Sequence, residues 1–406
     1  MDAVRRQYES YPYPERDPAE EARRLIEGSP SHPVEIDHFL FGGRRDWRAP
    51  FRALVAGGGT GDGLIMLAQK LADIGCPAEI IYLDMSQAAR AVAEARAAAR
   101  GLGSIRFVSG DLLSAPDLGP FDYIDCCGVL HHLPDPDAGF AALAAALAPE
   151  GGIGLMVYAP LGRTGVYPLQ SAFGALFGDD APAEQVALAK SALGALPPTN
   201  WLARNPFVGD HKVSDAGLYD LLLHSRDRAY RADELMAALD RAGLGLVSLL
   251  EPARYEPMRY LPDTPDMRER VARLSPPQAA AVAENLVGNI KTHVAYATLA
   301  GREGQAMATP QRAGAVPRLA RAEPRALAAH VAKAGGLRLT LDGLEYRLAI
   351  PRETAPLIAA IDGRRNLRAV AEAASLDWLA FAARWAPVHR ALAGFNLLHY
   401  SEGAAR

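Results

Sequence analysis

Cysteine is scarce in this 406-residue chain, which has only Cys76, Cys126 and Cys127. Three thiols cannot build a disulfide framework, and the adjacent pair matches no zinc-ligand spacing. So few suit a reducing compartment. Long apolar runs are also missing. The most apolar window, around 138–158, is broken by Pro149, Glu150 and the glycines that follow, so it is too short to span a bilayer. The stretch from Met1 to Tyr8 lacks the apolar core of a signal peptide, and the expected location is the cytoplasm, with no membrane partner. Nor is there an excess of one charge. Forty-three basic residues face 47 acidic ones, a formal net charge of −4, which argues against nucleic acid as a partner. What abounds is small: alanine, with 37 glycines and 30 prolines, as many helices closed by turns would give. At roughly 100–200 residues per domain, the length predicts two or three domains.

Residues 1–50, rich in proline, tyrosine and charge, read as an arm. Short apolar strands over 51–56, 79–84, 105–108, 121–127 and 152–158 then alternate with helical patterns over 64–74, 86–100 and 137–147. That alternation predicts an α/β fold, a Rossmann-like doubly wound parallel sheet with helices on both faces. It pauses over an insertion at about 160–230 and resumes with a helix over 232–242 and a strand over 244–249. After a second insertion at about 252–290, residues 291–299 read as the last strand of a domain spanning 51–300. Residues 301–322 read as a linker, and 323–406 as a small α+β domain with a hairpin turning at Asp342-Gly343.

The glycine cluster Gly57-Gly58-Gly59-Thr60-Gly61 sits where such a sheet opens its ligand crevice, at the carboxyl end of the first strand. No register of it gives the G-x-G-x-x-G dinucleotide fingerprint, and no Lys-Ser/Thr follows for a P-loop. Asp62 would serve a phosphate poorly but would tolerate a ligand with an ammonium group. Asp84 ends the second strand, where an acid can accept both hydroxyls of a ribose. Asp111 ends the third strand and could cap a turn or meet the amine of an adenine.

These motifs, with Phe121-Asp122-Tyr123 and Val129-Leu130-His131-His132-Leu133, resemble in order and spacing the class I S-adenosylmethionine-dependent methyltransferases. The resemblance is close over 51–160 and looser to about 300. It implies S-adenosylmethionine as cofactor, no metal, and cofactor contacts from Gly57, Gly58, Gly59, Thr60, Gly61, Asp84, Met85, Asp111, Leu112, Cys127 and Gly128. Many members carry an acid just before the glycine loop; Val55 stands there instead. Ammonium recognition would then fall to backbone carbonyls or to Asp62. Tyr8-Glu9-Ser10-Tyr11-Pro12-Tyr13-Pro14 is similar to an arm of some bacterial members, and the segments 220–224 and 285–293 to helical insertions found there. The tail from 323 resembles the winged-helix-type C-terminal domain of bacterial protein lysine methyltransferases.

Such an enzyme needs orientation and a dry lid more than an essential nucleophile. Tyr11, Tyr13, His131, Tyr158 and His224 are the candidates for shaping the acceptor side, whereas His132 is expected to bond backbone. The leading expectation is methyl transfer to a protein nitrogen, most of all lysine. A small-molecule O- or N-methyltransferase, with the tail making a homodimer, is the second. A regulatory cofactor-binding protein without turnover is the third.

Overall fold

The computed structural model describes residues 3–402. An N-terminal helix, α1 (Ala3–Ser10), and a second, α2 (Pro33–Leu40), precede the sheet domain. There β1 (Phe51–Ala56), α3 (Asp62–Asp73), β2 (Ala78–Asp84), α4 (Gln87–Ala99), β3 (Ile105–Ser109), β4 (Phe121–Cys127) and β5 (Leu147–Tyr158) follow in turn, and β6 (Leu244–Leu249) and β7 (Thr292–Leu299) complete the sheet. Side chains of a strand alternate between faces, and here both faces are apolar. Leu54, Ala56, Ile81, Leu83, Ile124 and Cys126 enter one core. Ala53, Val55, Ile80, Tyr82 and Tyr123 enter the other, under α2 and α3. The abundant alanine is spent on close approach. In α4, whose start is capped by Ser86, the buried face carries Ala89, Ala93 and Ala97 beside Arg96, and the alanines let the helix lie near the glycine loop.

The strand order is β3-β2-β1-β4-β5-β7-β6. Strands β3 to β5 pair in parallel, as the alternation predicts. The last strand departs from that expectation. β7 inserts between β5 and β6 and runs antiparallel to both, because the second insertion returns the chain to the edge where β6 ended. The crevice lies over the carboxyl ends of β1 and β4, where the strand order reverses.

The first insertion, Val166–Phe177, Pro182–Gly194, Trp201–Arg204 and Asp215–Leu222, has a core of its own beside β5. A second large core is built from residues 308–400 together with Ala253. Its hairpin, Gly336–Leu341 with Leu344–Ala349, turns through Asp342 and Gly343 at φ 45 and 78, the left-handed pair that a two-residue turn needs. The stretch expected as a linker is packed: Ala306, Ala308, Ala315 and Val316 are buried, and Pro317–Leu319 pairs with Leu398–Tyr400. Among the described residues, no helix is long and apolar enough to cross a membrane.

Candidate cofactor crevice and acceptor end

The floor of the crevice is the turn after β1. Its glycines are there because nothing larger fits. A Cβ on Gly57, at φ +69, would come 2.3 Å from Val129, and one on Gly58 would come 2.5 Å from the Tyr82 ring. The Tyr82 hydroxyl donates to the Gly59 carbonyl at 2.8 Å and pins the loop. Gly61, at φ +100, starts α3 against Ala93.

The crevice holds a cavity of about 520 Å³, walled by Gly57, Gly58, Gly59, Asp84, Met85, Asp111, Leu112, Cys127 and Gly128. Thr60 and Gly61 shape it from behind. The Thr60 hydroxyl donates to the Pro14 carbonyl at 2.6 Å, and its own carbonyl accepts from Arg96. Asp84 accepts one backbone N–H on each carboxylate oxygen, from Gly59 and from Ser86, both at 2.8 Å. Burial raises its pKa, and those N–H groups oppose the rise. Each oxygen keeps a lone pair for a diol. Asp111 accepts from Leu113 N–H at 2.9 Å, capping the turn, and also lines the cavity, so the two roles are compatible. Asp62 is occupied. Arg16 donates to both of its oxygens and Arg96 to one. Although burial works against ionisation there, Arg16 and then Arg96 hold its carboxyl below the usual range. A carboxylate so neutralised is not free for an ammonium.

The N-terminal arm is the roof. Glu9 accepts from the N–H groups of Gln87 and Ala88 at the start of α4, and Ser86 donates to the Tyr8 carbonyl. Glu21 takes Arg96 and Arg100 in a buried cluster. Val4, Tyr8, Tyr13 and Pro14 thereby face the cavity.

Beyond the glycine loop the cavity ends on His132, Leu133, Pro134, Tyr158 and Asp220. Asp220 is 4% exposed. It accepts the Tyr8 hydroxyl at 3.1 Å on one oxygen and the Tyr158 hydroxyl at 3.0 Å on the other. Burial raises its pKa, while His132 and the two tyrosine bonds act against that rise. The Arg163 guanidinium lies 3.6 Å over the Tyr158 ring and pairs with Asp227 at 3.2 Å. His132 Nδ1 lies 2.9 Å from the Arg226 carbonyl, and its buried Nε2 has no hydrogen-bond partner among the described residues.

Of the acceptor-side candidates, Tyr13 and Tyr158 stand on the cavity wall. His224 lies one step behind, its Nε2 3.3 Å from the Tyr8 hydroxyl, with burial lowering its pKa well below the ordinary value. The other two candidates are not on the wall either. Tyr11 stacks on Tyr219, 5.3 Å between centroids, and packs into the insertion core. His131 is buried behind Tyr158, 4.1 Å between centroids, because the turn after β4 points it inward. His132 does bond backbone as expected, but its ring also lines the cavity. Sequence reasoning missed Asp220 and Asp125, both on the wall. The available signal was an acid inside an otherwise apolar run: Leu218 to Leu223 for one, the strand β4 for the other.

A metal does not suit this end. Ligand atoms of His132, Asp220 and His224 lie within 4.8 Å of one another. The two imidazoles, however, are stacked at 3.7 Å and 14°, so their in-plane lone pairs cannot converge. His224 Nδ1 also accepts from Arg226 N–H at 3.0 Å, leaving the proton of the neutral ring on Nε2.

Residues 54–153 match the family model described as a methyltransferase domain. Together with the sheet order and the crevice, this defines a class I S-adenosylmethionine-dependent methyltransferase domain, whose cofactor is S-adenosylmethionine. Among individual proteins, an uncharacterized protein of Synechococcus sp. is 33% identical over 230 residues, 55% of this chain and 54% of the relative. The chain thus spans about half the length of the curated relative it matches. The fold resembles that of PKMT2 from Rickettsia typhi, with TM-score 0.59 and 13% identity over 97% of this chain and 76% of that one. For PKMT2 in complex with AdoHcy the TM-score is 0.56 and the identity 15%, over the same shares.

Proposed function

We propose that the chain is a methyltransferase acting on a nitrogen, most of all the side-chain amine of a protein lysine. The observation that carries the acceptor class is the buried carboxylate of Asp220, held by two tyrosine hydroxyls at the far end of the cofactor crevice. When bound, S-adenosylmethionine supplies an activated methyl whose bond to sulfur breaks as the acceptor's lone pair takes the carbon. The protein has to bring an amine there and leave it neutral. A carboxylate in a dry site offsets the desolvation of an incoming ammonium. A carboxylate acceptor would be repelled by it. The unpartnered Nε2 of His132 offers a lone pair for the proton the ammonium must lose. The rings of Tyr8, Tyr13 and Tyr158 then face a product that is again a cation. A slender lysine stem suits an end closed by the arm above and the insertion beside, and the resemblance of the tail to that of bacterial protein lysine methyltransferases points the same way.

The test is transfer of labelled methyl from S-adenosylmethionine to a proteome and to its separated metabolites. Label is expected in protein. The Asp220→Asn variant should transfer roughly tenfold more slowly or worse, as the loss of one charge-assisted contact implies, with unchanged affinity for S-adenosylhomocysteine. Label confined to metabolites would overturn the lysine reading, and full activity in Asp220→Asn would remove the carboxylate from it.

A further inference from the structure

The amino-acid end of the cofactor carries an ammonium, and the strand position that would ordinarily meet it is apolar. Val55, 3% exposed, is the last residue but one of β1. Its register partner on the neighbouring strand is Asp125. Because partners in a sheet point to the same face, Asp125 projects beside Val55 towards the start of α3. Gly63 makes room for it: a Cβ there would stand 2.7 Å from the Asp125 carboxylate.

The other acids of the crevice are committed or lie elsewhere. Asp62 is neutralised by Arg16 and Arg96, and Glu27 pairs with Lys70 at 2.5 Å. Asp84 and Asp111 lie across β1, at the ends of β2 and β3. Asp220 closes the acceptor end. Asp125 is a buried wall residue with no cation beside it among the described residues. Its hydrogen bonds come from neutral groups, the Cys127 thiol and Ser31, whose hydroxyl also lies 2.8 Å from that of Tyr123. A buried carboxylate with no counter-ion is costly unless something supplies the charge.

We infer that Asp125 is the carboxylate that receives the ammonium of the cofactor, taking up on β4 the task that Val55 leaves undone on β1. This rests on the methyltransferase reading above. It makes Asp125 a residue for the amino-acid end alone, without effect on the nucleoside end. Burial pushes its carboxyl up to about 6 in the unliganded protein, against the Ser31 and Cys127 bonds, so an arriving cation has a proton to displace below that pH. The titratable groups facing it are Tyr123 and Cys127 on its own strand, and burial raises both. Asp62, at the start of α3, is held ionised by its arginines.

Calorimetry with two ligands tests the inference: S-adenosylhomocysteine, and 5′-methylthioadenosine, which lacks the amino-acid end. Asp125→Asn should bind the first roughly ten- to a hundredfold more weakly and the second as the natural protein does. Without any substitution, the ratio of the two affinities should fall as pH drops through about 6. Groups that face the shared nucleoside, Asp84 among them, cancel in that ratio. Equal losses for both ligands in the variant, or a flat ratio with pH, would overturn the inference alone. A natural protein that binds neither ligand would overturn the methyltransferase reading and this inference with it.

Discussion

Asp125 shows at the scale of one residue how a binding site trades stability for readiness. Its carboxyl titrates near 6 when folded, against an ordinary value near 4, because burial opposes the charge. A group whose folded pKa is raised stabilises the protein at low pH and loses that contribution as pH rises through the folded pKa. At pH 8 the ionised carboxylate should therefore cost up to about 3 kcal/mol. Asp125→Asn removes the charge and keeps the shape. The expectation is a variant more stable than the natural protein at pH 8 and nearly equal to it at about pH 3.5, below the unfolded pKa, read from denaturant midpoints without ligand. A variant equally destabilised at both pH values would contradict this. Asp84 was legible from its place at the end of an apolar strand. Asp125 and Asp220 were harder, since a charge in an apolar run gives no sign of what it faces until the neighbouring strand or helix is placed. Among the paired histidines, which ring turns inward depends on the turn after β4, and one-dimensional spacing cannot give that.

Among the elements, the arm and α4 carry the closure of the site. Arg96 on α4 is 1% exposed and holds Glu21 of the arm, Asp62 of α3 and the Thr60 carbonyl together. Breaking a buried ion cluster by removing one member leaves uncompensated charge, typically about 3–5 kcal/mol. Arg96→Ala should lower stability by that order. It should also raise amide hydrogen exchange in residues 13–24 more than in β4 and β5. Uniform exchange in both would mean that the arm is held by packing alone. The strands and helices of the sheet were legible because their apolar periods are strong. The antiparallel β7 was not, since a single strand's period is the same in either direction and only the long insertion before it decides the direction. The stretch 301–322 looked like a connector because glycine and proline mark turns, yet its alanines and Val316 are buried by contacts far away in sequence.

For the whole molecule, the sheet and the C-terminal core are tied by polar bonds as well as by packing. Arg254, after β6, pairs with Glu251 and with Asp342 of the hairpin. Asn396 donates to Glu35 of α2 at 2.9 Å, His38 accepts from Tyr400 N–H at 3.1 Å, and Ser401 donates to Asp37 at 2.5 Å. Cores so joined should melt together: a single calorimetric transition whose van't Hoff and calorimetric enthalpies agree. Two resolved transitions would mean that the tail is an independent unit. No described residue of the tail lines the crevice, so the proposed methyl transfer falls to the sheet domain, the arm and the first insertion, and what these present is a cofactor cradle ending on a carboxylate among tyrosines. The most direct measurement is therefore the chemistry of the product. Protein labelled by the enzyme with methyl-labelled S-adenosylmethionine is hydrolysed, and the labelled residue is identified alongside a mild alkali treatment. Alkali-stable label that runs as Nε-methylated lysine is the predicted result; label released by alkali, as from a methyl ester, would contradict a nitrogen acceptor.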